Sequence, residues 1–289
     1  MIAVWKSLRP KQWTKNLCIF AGLIFAQQIT NVPFILRTVW AFVIFCLLSG
    51  SVYLINDISD REKDRQHPLK SHRPIASGAL SVTHAVIVVF LLVTLSLVCA
   101  WFLDIPFFII ASAYLFLHIA YSLHIKNVVI LDVLTVACGF ILRVVAGAVV
   151  INVEISSWLL VCTVFLALFL SLCKRRYELI VIERNHQEHR STMDEYSTIL
   201  LDQMISIVTA ATVVAYALYT MSHETIEKVG TRDLIYTIPF VLYGIFRYLY
   251  LVYQKDGGGR PENILVSDMP LIVNIFLWIL SIGVILYVR

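Results

Sequence analysis

Charge is scarce in this chain. Asp, Glu, Lys and Arg make up 15% of its 289 residues, 59% are apolar and the mean hydropathy is +0.81, whereas an ordinary soluble domain carries roughly 25% charged residues. That balance excludes a soluble enzyme. Paired cysteine motifs are missing too: Cys18, Cys46, Cys99, Cys138, Cys162 and Cys173 stand singly in apolar segments with no Cys-x-x-Cys, which excludes a disulfide or zinc framework. There is no glycine-rich nucleotide loop, no His-Glu-x-x-His and no low-complexity tract. The first apolar run lacks a small-x-small cleavage site, so it reads as a retained span rather than a signal peptide. The net charge of +4 is no footprint for nucleic acid, because Lys and Arg in such a chain mark the loops that face the cytoplasm.

What is present is hydrophobic length. Apolar stretches at 17–30, 34–56, 82–103, 105–123, 129–150, 156–175, 204–222, 234–253 and 269–288 approach the roughly 20 residues a helix needs to cross a bilayer core. The expected architecture is therefore all-α: one polytopic membrane domain over residues 1–289 with nine transmembrane helices and no room for a separate soluble domain. Counting Lys and Arg on alternate sides tests the topology. One side collects 17, from the amino terminus, the 57–81 loop, Lys126, the 174–203 loop and 255–268; the other holds only Arg37, Lys228, Arg232 and Arg289. The split predicts an inner, cytoplasmic-membrane protein with its amino terminus inside and its carboxyl terminus outside.

The chemistry is expected on two charged cytoplasmic loops. Residues 56–64 read Asn56-Asp57-Ile58-Ser59-Asp60-Arg61-Glu62-Lys63-Asp64. On a continuing helix Asn56, Asp60 and Asp64 fall at i, i+4 and i+8 on one face, with Asp57 beside them. Carboxylates at a helix C-terminus meet the negative end of the dipole and repel one another, so a cation should compensate. Magnesium takes oxygen ligands, keeps waters and is usually held by one or two carboxylates together with substrate phosphates. The stripe thus predicts a Mg2+-diphosphate site, and Lys70 and Arg73 follow closely enough to hold the phosphate oxygens that a metal leaves uncovered. Asp132 and Arg143 are ionisable residues inside a span, which tend to be functional. Eleven residues separate them, roughly 16 Å along a helix, too far for a direct pair. Asp132 lies toward the cytoplasmic end and suits a substrate or a residue behind the metal, whereas Arg143 is deeper and either contributes to the site or bridges helices.

The Asn56-Asp57-x-x-Asp60-x-x-x-Asp64 pattern, followed by His67-Pro68 and Arg73-Pro74, resembles the first diphosphate motif of the UbiA superfamily of intramembrane prenyltransferases, whose members have nine transmembrane helices. The usual members carry a second Asp-x-x-x-Asp after the sixth span. Here that stretch is Cys173-Lys174-Arg175-Arg176-Tyr177-Glu178-Leu179, with no such motif through Tyr196. A basic cluster lends itself to binding an additional phosphate without a second metal. The blocks Leu8 to Asn16, Leu131-Asp132-Val133, Gly139 to Arg143, Lys174 to Leu179, His189-Arg190 and Glu195-Tyr196-Ser197 are similar to the branch that joins 5-phosphoribosyl 1-diphosphate to a polyprenyl phosphate.

That resemblance implies a Mg2+-dependent phosphoribosyltransferase; the alternative is transfer of a prenyl group to a quinone or haem precursor. In the first case Asn56, Asp60 and Asp64 would hold the metal, with Asp57 in the catalytic group. Lys70 and Arg73 would hold the diphosphate, and Lys15 and Asn16 another phosphate or the lipid head. Lys174, Arg175 and Arg176, with Glu178 and Tyr196 nearby, would receive the 5-phosphate or the lipid phosphate. Tyr121 and Lys126 could line the sugar site, and His67 and His72 are expected to fix the loop.

Overall fold

The computed structural model describes residues 2–66, 70–185, 195–255, 264 and 267–287. Among the described residues eight helices are long and apolar enough to cross a membrane. We label them α1 (Val32–Ser59), α2 (Val82–Leu103), α3 (Ile105–Leu123), α4 (Leu131–Val149), α5 (Ser157–Asn185), α6 (Thr198–Met221), α7 (Ile238–Gln254) and α8 (Met269–Tyr287). Local chemistry sets their starts. Asn31, Ser81, Asp104 and Ser197 each accept a hydrogen bond from the backbone N–H three residues on, and prolines open α1, α3 and α7, where a missing N–H costs nothing.

The stretch expected as the first span, 17–30, is built differently from the other eight. Pro10–Phe20 forms a 3-10 helix that passes directly into an α-helical turn, Ala21–Phe25, and regular helix stops there. Lys11 and Lys15 lie within the 3-10 segment, and neither it nor the short turn is among the eight membrane-length helices of the described residues, so the expected 17–30 span is not found as a ninth such helix.

The chain divides into two compact units, Met1–Ile24 with Gln28–Glu154, and Phe25–Gln27 with Ile155–Arg289. In the first, α1 is central. Its Ala41, Ile44, Phe45, Leu48 and Val52 pack with Phe107, Ala111, Tyr114 and Leu115 of α3, and with Ile19, Leu23 and Ala146. The spacing of the α1 residues follows one helical face. α2 is the most apolar helix, yet it exposes Val86, Phe90, Leu91, Leu95 and Phe102; so large an apolar surface requires an apolar environment, here the lipid. Small residues bring backbones together. A Cβ at Gly147 would overlap the backbone of Ile19, and one at Gly22 would stand 2.9 Å from Ala148 Cα, the close approach that glycine allows between membrane helices. Gly147→Ala should accordingly destabilise the protein by roughly 2–3 kcal/mol, since the obstacle is backbone and cannot rotate away; thermal unfolding in detergent measures it, and an unchanged midpoint would refute the packing.

In the second unit, Tyr216 and Tyr219 of α6 pack with Leu234, Trp278, Ile282 and Leu286. Tyr216 Oη bonds Thr237 Oγ1 at 2.7 Å and accepts from Trp278 Nε1 at 3.0 Å. Asp268 accepts two bonds from Arg247 and one from the Leu271 backbone N–H. The Arg247 bonds hold its carboxyl below the usual carboxylate range.

Candidate active site

The acidic stripe exists, and its register survives the end of α1. The helix closes at Ser59, Asp60 occupies its C-cap, and Arg61–Gln66 forms a further short helix. Backbone bonds Asp60 N–H to Asn56 C=O (2.9 Å) and Asp64 N–H to Asp60 C=O (2.8 Å) carry the i, i+4, i+8 spacing across the junction.

Every carboxylate of the stripe meets a cation of the chain. Asp57, 2% exposed, accepts from Arg9 Nη2 at 2.5 Å and from Arg73 Nη1 at 3.1 Å. The same Arg73 nitrogen donates to Asp64 Oδ2 at 2.6 Å, and Asp64 is also buried. Asp60 accepts from Lys126 Nζ at 2.5 Å through Oδ1 and from Asn56 Nδ2 at 3.1 Å through Oδ2.

These cations arrive from three directions. Arg73 comes from the loop after the short helix, which folds back because Ile75 and Leu80 pack with Leu8, Leu54 and Ala85 and because Arg65 Nε donates to the Ala76 carbonyl. Lys126 comes from the 3-10 turn Ile125–Asn127 between α3 and α4. Just beyond it, Ile130 has φ 68° and ψ −45°, and Leu131 N–H bonds the Val129 carbonyl at 2.8 Å: a γ-turn of the rare, strained kind. A β-branched residue there is a genuine outlier. Arg9 also sits in the left-handed region, at φ 51° and ψ 62°, directly before a proline, which disfavours helical conformations. Such strain persists only where surrounding structure holds it, and it gathers at functional sites. Arg9 is the principal residue that sequence reasoning left among ordinary loop charges. Its Cζ lies 4.9 Å from the Tyr53 ring centre, and the Arg-Pro dipeptide was the available signal.

The remaining expected residues divide. Asp132 is buried in the first turn of α4, where the helix dipole favours a carboxylate. Lys15, Lys70 and Tyr121 are half-buried, and His67 lies outside the described residues. Arg143 bridges segments: it donates from Nε to Asn16 Oδ1 at 2.8 Å and from Nη2 to Tyr114 Oη at 2.7 Å, while lying over the Tyr114 and Phe140 rings. Asn16 is fully buried and donates onward to Ser49 Oγ at 3.1 Å. Asn16 is thus engaged in this network rather than on the stripe.

In the second unit Arg175 Nη1 donates to Glu178 Oε2 at 2.6 Å, and Lys174 Nζ lies 3.9 Å from Glu178 Oε1. Arg176 Nε donates to Asp202 Oδ1 at 2.5 Å, an oxygen that also accepts from Tyr253 Oη at 2.8 Å, and the guanidinium lies 4.0 Å from the Tyr253 ring centre. This ties α5, α6 and α7 together. Tyr196 is buried; His189 and Arg190 lie outside the described residues. Asp202 and Tyr253 had no signal in the sequence beyond their residue type.

Among the described residues no three His, Cys, Asp or Glu side chains converge as a ready metal cage. The donors of the stripe are nevertheless all oxygens, on Asn56, Asp60 and Asp64, and a metal that completes its shell with waters and phosphate oxygens needs only one or two carboxylates. The donor set fits magnesium as the protein half of a shared site.

A profile of the UbiA prenyltransferase family matches residues 16–280. The chain is 34% identical to a decaprenyl-phosphate phosphoribosyltransferase of Mycolicibacterium smegmatis, over 98% of this chain and 92% of that one. It is 32% identical to one of Corynebacterium glutamicum, over 98% and 86% respectively. In fold it is similar to a UbiA homolog from Archaeoglobus fulgidus bound to GPP and Mg2+, with a TM-score of 0.74, 19% identity, and coverage of 98% of this chain and 99% of that chain.

Proposed function

This chain belongs to the UbiA prenyltransferase family, and from that premise we propose that it transfers 5-phosphoribose from 5-phosphoribosyl 1-diphosphate to a polyprenyl phosphate, releasing diphosphate. The observation that carries this reading is the near-full-length similarity to the two phosphoribosyltransferases. The Asn56 to Asp64 stripe agrees with it, as does the basic stretch Lys174 to Arg176 where an acidic motif would otherwise stand.

In the reaction an oxygen of the lipid phosphate bonds to C1 of the ribose as the bond from C1 to the diphosphate oxygen breaks, the electron pair leaving with the diphosphate. A phosphate is ionised at neutral pH, so no general base is required. Catalysis reduces to positioning and to stabilising charge on the leaving group and the oxocarbenium-like sugar. Asn56, Asp60 and Asp64 would hold Mg2+, which supplies charge neutralisation on the diphosphate. Arg73 and Lys70 bind diphosphate oxygens, and Arg9 is held by Asp57 to face the same group. Lys126 and Tyr121 serve the sugar end, with Asp132 behind them. Lys174 and Arg175 bind an additional phosphate of the substrates, with Glu178 setting their orientation. Arg143 keeps Asn16 and Tyr114 in register. The protein is a multi-pass membrane protein; the loop charges support an amino terminus and an active site on the cytoplasmic side.

The test is direct. Purified protein incubated with Mg2+, labelled 5-phosphoribosyl 1-diphosphate and a polyprenyl phosphate should yield a lipid-extractable labelled sugar phosphate. Formation of a prenylated aromatic acid from 4-hydroxybenzoate and a prenyl diphosphate, with no lipid-linked phosphoribose, would overturn the assignment and leave family membership intact.

A further inference from the structure

Arg73 is expected to touch the diphosphate and Lys126 the sugar beside it, yet in the structure both hold the carboxylates that would hold the metal. Lys126 Nζ lies 2.5 Å from Asp60 Oδ1, and Arg73 Nη1 lies 2.6 Å from Asp64 Oδ2. Magnesium binds carboxylate oxygen at 2.0–2.1 Å, so an ammonium or guanidinium this close competes for the same lone pairs. It also repels a second cation. The named groups balance in charge: Asp57, Asp60 and Asp64 against Arg9, Arg73 and Lys126. Asp57 and Asp64 are buried, and Lys126 is 4% exposed. Adding a bare divalent ion to these matched and partly buried charges leaves two charges uncompensated, which costs more the less water reaches them. Adding the ion together with a diphosphate leaves the balance nearly intact. Both side chains can make the change. Lysine has a flexible four-carbon stem, and Arg73 bonds Asp57 as well as Asp64, so it can release one carboxylate while anchored to the other.

We propose that Lys126 and Arg73 are exchangeable counter-cations of the acidic stripe: they occupy Asp60 and Asp64, oppose a free divalent ion, and pass to the diphosphate oxygens when metal and diphosphate enter together. The site thereby selects the metal-diphosphate complex over free metal. Lys126 is then a positioning residue that alternates between Asp60 and the diphosphate. This inference rests on the stripe being a diphosphate site and is independent of which sugar or lipid is used.

Mn2+ serves as the probe, its free concentration read by electron paramagnetic resonance on the full-length protein in detergent, with and without inorganic diphosphate and with the solution complex subtracted. The wild type should bind Mn2+ at least tenfold more tightly when diphosphate is present. In Lys126→Gln, Mn2+ alone should bind at least threefold more tightly than in the wild type, while Mn2+ with diphosphate binds at least tenfold more weakly. Lys126→Arg should restore the wild-type order. Opposite signs are the signature, because a residue that merely supports the fold would weaken both. If both affinities fall together, or neither moves, the exchange is refuted. Should Lys126→Gln fail to fold, Arg73→Gln carries the same pair of measurements, and Asp60→Asn, which removes the shared carboxylate, should weaken both and mark the site. Opposite signs without consumption of 5-phosphoribosyl 1-diphosphate would support the exchange and sink the proposed function; consumption with both affinities falling would do the reverse.

Discussion

Asp60→Asn and Asp64→Asn are expected to yield inserted, folded proteins that turn over at least about a hundredfold more slowly, a loss of roughly 2.7 kcal/mol of transition-state stabilisation. Asparagine keeps the size of the side chain and an oxygen that can accept from Lys126 or Arg73, so the partners seen at 2.5 and 2.6 Å retain a hydrogen bond. What disappears is the negative charge that a divalent ion needs. Asp57 and Asp60 stand at the negative end of the α1 dipole, Asp64 lies in the short helix that follows, and a cation-binding role accounts for gathering the three carboxylates. Initial rates of lipid-linked product, set beside size-exclusion profiles and unfolding midpoints, decide the matter. Near-normal rates in both variants, or full wild-type activity in excess chelator, would remove the metal assignment.

Asp57→Ala should behave differently, losing stability as well as activity. Its carboxylate is buried and receives both Arg9 and Arg73, so truncation leaves two guanidinium groups facing each other without the anion they share. Breaking a fully buried pair costs about 3–5 kcal/mol. Both arginines reach solvent in part, which lowers the expected cost to roughly 2 kcal/mol. The unfolding midpoint should therefore drop in Asp57→Ala while remaining near the wild-type value in Asp64→Asn. Mn2+ should still bind in Asp57→Ala once the protein is kept cold enough to stay folded, since Asn56, Asp60 and Asp64 remain. An unshifted midpoint combined with lost Mn2+ binding would reassign Asp57 as a metal ligand.

The sequence determined whatever depends on local spacing. Hydrophobic runs of about 20 residues specify membrane helices, and eight of the nine expected spans coincide with the eight membrane-length helices of the described residues. The i, i+4, i+8 register of Asn56, Asp60 and Asp64 was legible because backbone hydrogen bonds impose the helical period whatever surrounds it, and those bonds cross the break at Asp60. The separation of Asp132 from Arg143 followed from the same arithmetic. The tertiary structure alone decided the partners. Arg9 reaches Asp57 across 48 residues and Lys126 reaches Asp60 across 66, and Arg176 turns to Asp202. Such pairings depend on which face of each helix packs inward, and a helix as uniformly apolar as α2 carries little periodic signal to separate a packing face from a lipid face. The segment Pro10–Phe25 shows the same limit. Apolar composition marked only 17–30 as a span, but the 3-10 path that begins at Pro10 is held by contacts such as Ile19 on Gly147 and Asn16 on Arg143, which lie more than 100 residues away in the chain.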